Sequence, residues 1–165
     1  MIPLLLALLG CGGDADALLP KLESPNPTVR QQALTDARDT TGDALRAAVV
    51  RTLQDPDPVL RLEALRTLDT WKEVSAVPEI VALLTDPDPK VAVAAAETLG
   101  RLGQPEALPA LRALLEASPE APPLHVIWAV GAIGDPSAIE VLVPLRTDPS
   151  PWVRFAADQA LRALD

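Results

Sequence analysis

The chain has 165 residues, with 14 Lys plus Arg against 23 Asp plus Glu and a formal net charge of −9. That balance argues against nucleic acid, whose phosphates need a stripe of clustered cations. One Cys and one His exclude an internal disulfide framework and leave too few ligands for a zinc or haem site, so no cofactor or metal is expected.

Alanine (27) and leucine (28) make up a third of the sequence while β-branched and aromatic residues are scarce, which predicts an all-α fold. The 18 prolines are compatible with helices only at helix starts and in turns.

The first element is an apolar run, Ile2 to Leu9, followed by Gly10-Cys11-Gly12-Gly13. It is too short to span a bilayer, which takes ~20 apolar residues, and has the form of an export-signal core. Leu8-Leu9-Gly10-Cys11 resembles the lipobox of bacterial lipoproteins, with Leu three before the cysteine and a small residue just before it. The resemblance implies a signal peptide over 1–10, lipidation of Cys11, a short linker over 11–13 and membrane anchoring through the acyl chains. It further implies a periplasm-facing place in the bacterial cell envelope. Gly12 stands where an inner-membrane retention signal would have Asp, which points to the outer membrane. No Lys or Arg precedes the run, so two alternatives remain. The true start lies upstream, or Ile2–Leu9 is the terminal helix of a cytosolic protein with Cys11 as a small buried hydrophobe.

From residue 14 to 165 the sequence repeats. Ser24-Pro25-Asn26-Pro27, Asp55-Pro56-Asp57-Pro58, Asp86-Pro87-Asp88-Pro89 and Asp148-Pro149-Ser150-Pro151 are spaced by 31, 31 and 62, with a degenerate member at Ala117-Ser118-Pro119-Glu120. Each period carries apolar residues four apart, such as Val91, Ala95 and Leu99, and then a second stripe, such as Ile80 and Leu84. Two helices per period are therefore expected. In Asp57-Pro58 and Asp88-Pro89 the acid before the helix-opening proline caps the free N–H groups, and Pro78, Pro105 and Pro136 open the second helices. Asp14 to Glu23 reads as a second-type helix starting the stack. Gly100, Gly103, Gly131 and Gly134 read as helix-end glycines.

This recurring Asp-Pro-Asp-Pro-x-Val-Arg pattern, with Leu-Gly-x-Leu-Gly after it, resembles the short HEAT repeats of phycobilin lyases. The resemblance implies an α-solenoid of about five stacked helix pairs. It also implies a ladder in which the first Asp of each turn pairs with an Arg six residues on, as Asp55 with Arg61 and Asp148 with Arg154. Asp86 faces Ala92, and Ala117 faces Pro123, so an irregularity is expected near the fourth repeat. Asp158 and Arg146 replace residues that are apolar in earlier repeats and read as a polar cap closing the array.

The carboxylates are spread along the repeat instead of converging on a pocket, and no catalytic motif is present, so a non-enzymatic role is expected. Iron-binding relatives of this fold use His-Glu pairs, which a chain with His125 alone lacks. Candidate partner contacts are His125, Trp128 and Trp152. Trp128 falls at an offset held by Thr35, Arg66, Glu97 and Gln159, and His125 lies three residues before it on one helix face. The competing structural reading has Trp128 covering a gap left by Pro122 and Pro123, Trp71 in the core, and Trp152 with Phe155 covering the end of the stack. The functional expectation is a lipid-anchored scaffold or assembly factor that binds a protein partner, basic or mixed in charge, and no small-molecule substrate. The alternative is a cytosolic enzyme or enzyme subunit resembling the phycobilin lyases.

Overall fold

The computed structural model describes residues 13–164. Cys11 and the apolar run before it lie outside the described residues. Ten α-helices follow in order: α1 (Gly13–Leu22), α2 (Pro27–Ala37), α3 (Asp43–Thr52), α4 (Pro58–Trp71), α5 (Val77–Ala82), α6 (Pro89–Leu102), α7 (Leu108–Ala117), α8 (Leu124–Ile133), α9 (Ile139–Leu142) and α10 (Pro151–Arg162). No strand occurs among the described residues. The even-numbered helices are the first of each pair and the odd-numbered ones the second, as the 31-residue period requires. The helices divide into two compact units, one ending at Trp71 and one beginning at Lys72.

Four of the five first helices begin on the proline of the repeated turn, at Pro27, Pro58, Pro89 and Pro151. Asp57 Oδ1 accepts from the Val59 N–H at 2.9 Å and Asp88 Oδ1 from the Lys90 N–H at 2.8 Å. These bonds satisfy donors that the helix start leaves open. The earlier acid acts within the turn: Asp55 accepts from the Asp57 N–H and Asp86 from the Asp88 N–H. One acid thus closes the turn and the other caps the helix.

The second helices are broken up by proline. Val74–Ala76, Pro105–Ala107 and Pro136–Ala138 are 3₁₀ turns leading into α5, α7 and α9. Pro78 and Pro109, each the second residue of its helix, have no N–H to give to the carbonyl four residues back. Pro105 and Pro136 therefore open a 3₁₀ lead-in and not the α-helix itself. Pro144 likewise ends α9 after four residues, and a further 3₁₀ turn spans Pro144–Thr147.

In the first unit α1 buries Ala15, Leu18 and Leu22 and packs on α2 and α3, as a second-type helix opening the stack should. Leu34, Val49, Leu60, Leu65 and Leu68 are at most 1% exposed, each such burial contributing about 1.5–3 kcal/mol. Polar bonds join α2 to α4: Arg38 pairs with the buried Glu63, and Thr67 Oγ1 donates to the Leu34 carbonyl at 3.0 Å. Trp71, expected in the core, is only half-buried because its Nε1 donates to the Ala37 carbonyl at 3.1 Å, which keeps the indole at the surface end of the helix pair.

The expected ladder takes another form. Arg61 donates to the backbone carbonyl of Asp55 at 2.8 Å, and Arg154 to that of Asp148 at 2.7 Å, so each arginine fastens its own turn by the main chain. The carboxylate paired in the first unit belongs to the following repeat: Arg30 Nε and Nη2 reach Asp55 Oδ2 and Oδ1 at 3.0 and 3.3 Å. Asp55 Oδ1 also accepts from the Asp57 N–H, so this carboxylate serves both its own turn and the arginine of the preceding repeat.

In the second unit α6, α8 and α10 lie side by side at a much closer approach. A Cβ built on Gly100 would stand 3.1 Å from the Ala129 Cα, and one on Gly131 only 2.6 Å from the Ala160 Cα. Gly100 and Gly131 are therefore seats for a neighbouring backbone inside their helices, not helix ends. The helix ends are Gly103 and Gly134, with φ of 65° and 78°, which satisfy the last carbonyls in a left-handed conformation. The degenerate fourth turn delays α8 to Leu124, preceded by Pro123 with no side-chain cap. That is the irregularity expected from the missing Asp and Arg.

Candidate functional site

Helix α8 carries His125 and Trp128 on one face, and α10 carries Trp152 and Phe155 one turn apart. The side-by-side packing of α8 on α10 brings Trp128 onto Phe155, with ring centroids 6.2 Å apart and planes at 68°. That edge-to-face arrangement sets the positive ring edge against the negative ring face. Despite the contact, Trp128 is 43% exposed, Phe155 54% and Trp152 71%, and Leu124 at the start of α8 is also exposed.

The Trp128 indole meets Phe155 of the next helix, while Pro122 is buried and Pro123 partly exposed. Trp152 and Phe155 stay open to solvent and do not close over the end of the stack. His125 is half-buried; burial holds its pKa below the usual 6.5, with Glu97 pulling in the opposite direction. The structure thus gathers Trp128 and Phe155, sets His125 on the α6 side of α8, and leaves Trp152 outside any described ring contact. Leu124 was not among the candidates read from sequence, and Phe155 was read there with Trp152 as a cover for the end of the stack. The signal for them is the offset occupied by Leu62, Val93, Leu124 and Phe155, apolar in every repeat but the first, where Gln31 stands, although it does not belong to the buried stripe.

The remaining polar chemistry is dispersed. Among the described residues no three His, Cys, Asp or Glu side chains gather as metal ligands. None of the described helices is long and apolar enough to cross a membrane. Asp135, whose carboxylate accepts from Ser137, has its pKa lowered by that bonding and caps the 3₁₀ turn that follows it. The arrangement offers an exposed aromatic surface on α8 and α10.

A family model described as HEAT repeats matches residues 43–123 and 113–165. The chain belongs to the HEAT-repeat family. The two matches meet across the irregular turn before α8. Among solved structures, the HEAT-repeat chain is 27% identical to one from the complex of CpcE and CpcF of phycocyanin lyase from Nostoc sp. PCC7120. That match covers 99% of this chain and 70% of the other, with a TM-score of 0.76. A designed armadillo repeat protein in complex with the peptide (KR)4 is 17% identical over 93% of this chain and 82% of its own, with a TM-score of 0.66. Human deoxyhypusine hydroxylase in complex with glycerol is 17% identical over 92% and 96%, with a TM-score of 0.50. The last two show the shared helical-repeat fold alone. No curated protein matches the sequence.

Proposed function

We propose that this HEAT-repeat chain is a non-catalytic scaffold or assembly factor that binds a protein partner through the aromatic surface of α8 and α10. On this reading it is held to the periplasmic side of a bacterial membrane by lipid on Cys11. The observation that carries the partner-binding reading is the exposure of Trp128, Phe155 and Trp152 together. Contiguous exposed apolar surface rimmed by polar residues marks interaction sites, and tryptophan is a frequent anchor in them. The lipobox-like residues before Gly12 support the anchoring.

A photocrosslinking residue at position 128 in intact cells should capture one discrete partner, and Trp128→Ala should lose most of that partner in pull-down while Glu79→Ala on α5 retains it. Equal capture by both variants would remove this surface from consideration. Labelling with palmitate should vanish in Cys11→Ser; an unlipidated chain in the soluble fraction would overturn the anchoring.

The similarity to the CpcE and CpcF complex, at 27% identity over nearly the whole chain, favours a second reading. In it the chain is a cytosolic subunit that pairs with another repeat protein in an enzyme. The labelling experiment separates the two readings.

A further inference from the structure

Helices α7 and α9 leave a crevice between them on the second-helix side of the second unit. It holds two adjoining cavities of about 310 and 320 Å³. Pro105, Leu108 and Ala113 of the α7 segment line the first opposite Val141, and Leu115, Pro119 and Pro122 line the second opposite Leu145. Arg112, Glu116 and Val141 border both cavities. Arg112 Nη2 reaches across to Glu140 Oε2 at 3.1 Å, so the crevice is divided by one cross-groove ion pair. Both partners are well exposed, and a pair of that kind contributes only about 0–1 kcal/mol. Glu116 has no ion-pair partner among the described residues. Between Gln104 and Leu145 there are five acids and one cation, Arg112 itself.

The crevice is thus apolar along its floor, acidic along its rim, and bridged by a weakly held guanidinium. We propose that it binds an extended, arginine-bearing polypeptide segment, one of whose guanidinium groups takes the place of Arg112 on Glu140 while its apolar residues fill the two cavities. A guanidinium fits because its fixed, forked donors match a carboxylate bidentately. The length follows from geometry. Ten residues of α7 rise about 15 Å, which about five extended residues span. This deepens the protein-binding reading by naming the chemistry of a partner segment, and it occupies a different face from the aromatic surface, so each can fail alone.

The test is fluorescence anisotropy of the purified chain with a labelled hexapeptide alternating arginine and leucine, beside its glutamate–leucine counterpart. Saturable binding of the arginine peptide alone is expected. Glu116→Gln with Glu140→Gln should weaken it by about fivefold or more, as expected for two partly screened charge contacts. Asp16→Asn with Asp39→Asn, which changes net charge equally in the first unit, should leave it unchanged. Arg112→Ala should tighten binding by about threefold, because the internal competitor is gone. Trp128→Ala should bind the peptide as the parent does. Equal weakening by both acid pairs, weaker binding by Arg112→Ala, or no saturable binding would each overturn the proposal.

Discussion

Lys72 is the single non-glycine residue with positive φ among those described, at 53°. Its counterparts one and two periods on are Gly103 and Gly134, in the same left-handed region. A side chain there carries a conformational cost of about 1–2 kcal/mol that glycine avoids. Lys72→Gly is therefore expected to raise stability by about 0.5–1 kcal/mol, read as the urea midpoint; no change or a loss would show that local contacts of Lys72 outweigh the strain. His125 gives a second expectation at this scale. With a folded pKa below 6.5, the unfolded chain binds more protons near that pH, so stability falls as pH drops through the ordinary histidine range. His125→Gln should flatten that part of the stability profile, and Glu97→Gln should lower the His125 midpoint further. An NMR titration midpoint at or above 6.5 would contradict both.

At the scale of helices, two kinds of joint hold first helices together. Arg38, Thr67 and Trp71 make polar bonds between α2 and α4, whereas glycine lets α6, α8 and α10 approach by their backbones. Gly131→Ala puts a methyl into the main chain of α10, and overpacking of that kind costs about 1–3 kcal/mol. Gly100→Ala meets gentler contacts of 3.1 Å, partly offset by alanine's helix preference of about 0.5–1 kcal/mol. Thermal unfolding should show Gly131→Ala well below the parent and Gly100→Ala close to it.

This scale also shows what the amino-acid string makes legible. The 31-residue period, the proline-opened first helices and the delayed α8 follow from spacing and capping chemistry, since those features act within a few residues. The partner of Arg30 does not, because Asp55 is 25 residues away and its direction depends on the turn. The role of Gly100 and Gly131 was misread for the same reason: a glycine before a helix end and a glycine beneath a neighbour look alike in one dimension. The crevice between α7 and α9 had a visible trace in its prolines, but only the packing of two separate helices shows that they line one space.

At the scale of the molecule, the repeat places its acids and apolar faces periodically, and membership of a repeat family leaves function to particular surfaces. The last helix of the second unit illustrates this. Asp158 and Arg146 stand at offsets that hold buried Leu34, Leu65, Ala96 and Ile127, and Leu22, Leu53, Leu84 and Leu115. They pair with each other at 2.9 Å. Replacing both by leucine should create an apolar face and drive concentration-dependent self-association, measured by sedimentation velocity; a variant that stays monomeric at millimolar concentration would refute the capping role.

The glycine joints carry one more implication, for anyone treating the periods as modules. Where α6 and α8 have Gly100 and Gly131, α2 and α4 have Arg38 and Asp69. A cassette from the second half could be grafted among the earlier ones with little more than the loss of a few polar bonds. The reverse transplant would thrust an arginine or aspartate against the backbone of the neighbouring helix, so shuffling these modules is far easier in one direction than in the other.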